Sequence, residues 1–148
     1  MKFRLTSVAL SLLVTLGGCS SDYAPVAETA ASVPASGTIT WQGKPLAGFR
    51  ITLHPTDGQR PAAGVSDAEG KFVLGTNSPS DGSVAGTHPV SVIWEQPVDD
   101  GLNSAPGAAA GQKPPVDLPA RFASPESSGL KLEIPADGSS TLQLDLKP

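Results

Sequence analysis

The sequence predicts an all-β domain, an antiparallel sandwich of about seven strands. Glycine and proline supply 16 and 15 of the 148 residues, and most of them punctuate short segments. Those segments alternate apolar and polar side chains with a period of two, which sends successive side chains to opposite faces of a strand. The gaps carry Asp, Asn, Gly and Pro in combinations that close turns.

The first segment, residues 37–42 (GTITWQ), places Ile39 and Trp41 on one face and Thr38, Thr40 and Gln42 on the other. Gly43-Lys44-Pro45 turns the chain, after which Phe49, Ile51 and Leu53 alternate with Arg50, Thr52 and His54. Pro55-Thr56-Asp57-Gly58 stops that strand. Residues 63–66 and 71–74 flank Asp67-Ala68-Glu69-Gly70, a hairpin signal. His88, Val90, Val92 and Trp94 share a face of the next strand. Near the end, Leu130, Leu132 and Ile134 alternate with Lys131 and Glu133, and Leu142, Leu144 and Leu146 alternate with Thr141, Gln143, Asp145 and Lys147. Each alternation buries one face and wets the other, as antiparallel sheets do. Residues 96–117 break the pattern: they have no period, are rich in Gly, Ala and Pro, and have a composition that favours disorder.

The front of the chain has a different grammar. Lys2 and Arg4 form a basic start, and residues 5–16 form an apolar run, too short to cross a bilayer, which takes about 20 apolar residues. This is the layout of an export signal. It ends in Leu16-Gly17-Gly18-Cys19, which holds the only cysteine of the chain. The segment resembles the lipobox of bacterial lipoproteins: an apolar residue, two small residues, then Cys. The resemblance implies cleavage between Gly18 and Cys19, a diacylglycerol thioether on the Cys19 sulfur, and acylation of the new amino group by a fatty acid such as palmitate. Several acyl chains on one residue anchor durably where one binds reversibly. Ser20 follows the cysteine, where lipoproteins held at the inner membrane can carry Asp; this favours the outer membrane slightly. Residues 19–35 are small, polar and Pro-containing, the composition of a flexible tether. They leave residues 36–147 as the folded domain.

Within that domain the residues carry a second likeness. GTITWQGKPLAGFRITLHPTDG, AAGVSDAEGKFVL and GTHPVSVIW, in that order, resemble the opening strands, the T-D-x-x-G-x-F hairpin and the G-x-Y-x-V-x-V strand of carboxypeptidase regulatory-like domains. LPARFASPESSGLKLEI and the last alternating strand resemble the ending of small lipoproteins built on this domain. The resemblance implies a transthyretin-like, Ig-like β-sandwich without catalytic residues of its own. His88 stands where that family usually has Tyr.

Composition excludes some functions. The first 18 residues take two of the ten basic side chains, leaving eight against fourteen acidic ones, a net charge of −6. Nucleic acid demands a basic footprint, so it is not an expected partner. The two histidines, His54 and His88, fall short of the three or four ligands of a zinc site, so no metal and no cofactor are expected. Asp67 and Glu69 sit at a turn, where acidic residues are ordinary. Asp99 and Asp100 sit in the aperiodic stretch, a poor place for a preorganised site. No G-x-S-x-G, P-loop, G-x-G-x-x-G or H-E-x-x-H motif occurs. Trp41 and Trp94 could stack on sugars, but their apolar companions place them in the core. The sequence therefore points to a lipid-anchored, non-catalytic envelope module, structural or interacting, with a carbohydrate-binding module as the alternative. An envelope protein or polysaccharide is the expected partner.

Overall fold

The computed structural model describes residues 30–95 and 113–148. Among these residues, ten strands form the framework: β1 (Ser32–Val33), β2 (Ala35–Trp41), β3 (Lys44–Pro45), β4 (Phe49–Leu53), β5 (Ala62–Val65), β6 (Lys71–Val73), β7 (Ser83–Val84), β8 (Gly86–Trp94), β9 (Lys131–Ile134) and β10 (Ser139–Leu146). A short 3-10 turn at Ala120–Ala123 and one turn of helix, α1 (Pro125–Ser128), precede β9.

Two four-stranded sheets face each other, and β1 pairs separately with β7. In the first sheet β2 is central, with β10 along one flank and β6 and β3 end to end along the other. The second runs β5-β4-β8-β9 and is antiparallel throughout. Ile39, Phe72, Leu144 and Leu146 from the first sheet meet Phe49, Ile51, Leu53, Val90 and Val92 from the second in one core. Burying such a side chain contributes about 1.5–3 kcal/mol. The alternation of Phe49, Ile51 and Leu53 inward and Arg50 and Thr52 outward is present as expected.

The all-β sandwich is thus observed, with four departures in detail. First, β10 lies parallel to β2, with Gly37 opposite Leu142 and Trp41 opposite Leu146, so the first sheet is mixed. Second, the arms of the expected 63–74 hairpin form no ladder with each other. The turn forms, with Gly70 N–H donating to the Asp67 carbonyl, and Ala63 and Gly75 exchange backbone hydrogen bonds at a single bridge, but the ladders run elsewhere: β5 joins β4 and β6 joins β2. The turn is a corner between sheets. Third, ordered pairing starts inside the expected tether: Ser32 pairs with Val84, and Ala35 is buried. Fourth, the end of the expected 96–117 loop rests on the sandwich, because Val116 packs against the core. Residues 96–112 lie outside the described part.

Local chemistry explains the tightest features. Gln42 and Gly43 both have positive φ, 52° and 78°, as a two-residue type I′ turn requires, and Trp41 pairs back with Lys44. The turn therefore comprises Gln42-Gly43, one residue earlier than the sequence suggests. In β10 one extra residue is accommodated between Ser139, opposite Ala35, and Leu142, opposite Gly37. This bulge leaves both Ser140 and Thr141 exposed. Gly37 is required beneath it: a Cβ there would stand 2.1 Å from the Leu142 carbonyl oxygen.

Candidate functional site

Three surface concavities stand out, and two of them bring hydrogen-bonding side chains together. The first is a trough of about 370 Å³ on the outer face of the mixed sheet. Strand register builds it: Thr38 of β2 lies between Lys71 of β6 and Gln143 of β10. Ser36, opposite Val73, and Thr141 in the bulge extend it. In the next row Thr40 Oγ1 donates to Asp145 Oδ1 at 2.6 Å. Among the described residues, the hydroxyls, amide and ammonium lining the trough make no such side-chain bond to one another. They are presented to solvent by a rigid ladder.

The second feature is a notch where β4 ends. His54, Pro55, Pro89, Pro125 and Glu126 line about 290 Å³. His54 Nε2 lies 2.8 Å from Ser91 Oγ, a Ser–His pair brought together by neighbouring strands. A nucleophilic triad needs an accessible hydroxyl and an orienting third group. Ser91 is only 7% exposed. The Glu126 carboxylate accepts instead from Ser124 Oγ, a bond that, with one from its own backbone N–H, holds it below the usual carboxylate range. The pair ties two strands together in this geometry.

The third feature is a recess of about 180 Å³ between Trp94 and the segment carrying Val116, Leu118 and Pro119. Its walls are mainly apolar, and both Trp94 and Val116 belong to the packing around the core.

The residues singled out from sequence are dispersed. His88 points inward, buried, with Nε2 3.0 Å from the Val84 carbonyl oxygen, whereas His54 faces out. Asp67 Oδ1 accepts from the N–H groups of Glu69 and Lys71 at 3.0 and 2.8 Å, so it shapes the corner turn. Trp41 is half-buried and meets Phe122 edge to face, 6.0 Å between ring centroids. Trp94 is also half-buried, and both indoles pack against the core. Among the described residues no group of three His, Cys, Asp or Glu side chains converges. Gly18, Cys19, Asp99 and Asp100 lie outside the described residues.

Sequence reasoning missed the trough. Thr38, Lys71 and Gln143 are each visible as polar positions of alternating strands, but their adjacency depends on pairing across more than one sheet neighbour. Comparison with models of protein families gives no match, and neither the curated proteins nor the solved structures contain one.

Proposed function

We propose that this protein is a lipid-anchored component of a bacterial cell envelope whose β-sandwich acts as a non-catalytic structural or interaction module. The observation that carries the reading is the order of Lys2 and Arg4, an apolar run, Leu16-Gly17-Gly18-Cys19, and then a folded domain whose pairing begins at Ser32. Cys19 is the lipidation site and the Gly18–Cys19 bond the signal cleavage site. Between Cys19 and Ser32 an extended chain spans at most about 45 Å, enough to lift the sandwich clear of lipid headgroups. No helix among the described residues is long and apolar enough to cross a membrane. The likeness to carboxypeptidase regulatory-like domains supports the same role, since those sandwiches are non-catalytic. Ser20 after the cysteine favours the outer membrane.

Intact-mass spectrometry of the protein extracted from membranes tests this. The expected species begins at Cys19 and carries diacylglycerol plus an amide-linked acyl chain. A soluble chain with a free Cys19 thiol overturns it. The trough favours the second reading, a carbohydrate-binding module, because its lining is rich in groups that both donate and accept hydrogen bonds.

A further inference from the structure

We infer that the trough over Thr38, between Lys71 and Gln143, is a binding site for a hydroxyl-rich chain bearing carboxylates, an acidic polysaccharide segment. The inference rests on the reading of the sandwich as an interaction module and names the chemistry of its partner. Its size falls in the range of small-ligand sites.

The lining decides the ligand class. Ser36, Thr38, Thr141 and Gln143 can each donate and accept, which matches sugar hydroxyls that do the same. Val73, 49% exposed, supplies an apolar margin for the C–H face of a ring. Among the described residues, Lys71 is the only charged one in the lining. Asp145, the nearby carboxylate, is held by Thr40 in the adjoining row. One ammonium among neutral groups suits a carboxylate on the ligand. Because the chain as a whole is acidic, the selectivity must be short-ranged, acting within about 8 Å at physiological salt, where Lys71 inside the trough is nearer the ligand than Asp145 in the adjoining row.

The same geometry disfavours a peptide strand added over Thr38. Strand addition needs free backbone groups at an edge. Beneath the trough, β2 is bonded along both flanks, to β10 and to β6, so a ligand lying over β2 meets side chains, and free edges occur only on the outer sides of β10 and β6. The backbone beneath is closely fitted: at Gly37, under the bulge that carries Thr141, a Cβ would meet the Leu142 backbone. The paired strands need no rearrangement on binding, and the ordering cost falls on the exposed Lys71 and Gln143 side chains.

The test is calorimetric titration of the full chain with oligogalacturonate, with neutral cello-oligosaccharide of equal length as the second probe. Saturable binding of the uronate is expected, with the neutral probe about tenfold weaker, the factor set by about 1.4 kcal/mol. Lys71→Gln should reduce uronate affinity by about the same factor and leave the neutral probe unchanged. Lys131→Gln, on the other sheet, should change neither, and matching thermal melts exclude unfolding as the cause. Amide shifts on titration should centre on Thr38 and Gln143. Absence of saturable binding, or uronate affinity indifferent to Lys71→Gln, overturns the assignment. Mass analysis of Cys19 on the same preparation separates the two ideas: an acylated chain that ignores uronate sinks only the trough.

Discussion

Asp81 shows how much one half-buried carboxylate can organise. Its oxygens accept from the N–H groups of Thr76, Asn77 and Ser78 at 2.6, 3.0 and 3.0 Å, and Thr76 Oγ1 donates to the Gly82 carbonyl. The bond from Thr76, aided by those from Asn77 and Ser78, holds its pKa below the ordinary range of an aspartate. A depressed folded-state pKa means that the contribution is complete above the unfolded value and is lost as pH falls through the folded one. Asp81→Ala should therefore speed amide exchange at Thr76, Asn77 and Ser78 at neutral pH. In the native chain the same acceleration should appear only in acid, below the ordinary carboxylate range. Unchanged exchange in the variant would show that the loop holds itself. Phe122 makes a larger contribution. It is 2% exposed, with the Trp41 ring at its edge and the Arg121 guanidinium 4.6 Å from its centroid. Phe122→Ala should cost about 3–5 kcal/mol by denaturant titration, and Trp41 emission should shift to the red as water reaches the indole.

At the scale of elements, the bulge in β10 is the feature most open to test. Gly37→Ala forces a methyl against the Leu142 backbone, so β2 and β10 must separate locally. Overpacking of this kind costs about 1–3 kcal/mol, or about 4–8 °C of melting temperature for each kcal/mol in a domain of this size. A melt identical to that of the native chain would mean that the bulge slides freely. The elements also mark where sequence is legible. Period-two alternation revealed the inward Phe49, Ile51 and Leu53 and the last strand's leucines because burial acts on each side chain directly. It could not reveal that β10 runs parallel to β2, since Leu142 and Gly37 meet across most of the domain and neither carries a mark of its partner. Nor could the turn chemistry of Asp67 to Gly70 reveal that its arms enter different sheets: a turn reverses the chain without choosing the neighbours. The trough was hidden for the same reason, being a product of register. Phe122 was missed because it sits in a short 3-10 turn with no strand period around it.

At the scale of the whole molecule, a single core joins the two sheets, so the domain should unfold in one cooperative transition. Far-ultraviolet circular dichroism should be β-type, and its loss should coincide with the shift in tryptophan emission on heating. Two separated transitions would mean that the sheets unfold independently. The position of β2 has a mechanical consequence. A pull on the chain ahead of Ser32, resisted elsewhere on the domain, loads first the short β1–β7 pair and then β2, which is flanked by β10 on one side and by β6 and β3 on the other. Such a load acts along the strand and strains the bonds of both ladders together, in shear, where a pull across an edge would open them one after another. Survival under force is governed by the unfolding rate. If a lipid holds Cys19, the strand that takes the strain is the one most fully clamped, and the domain resists drag from the end at which it is moored.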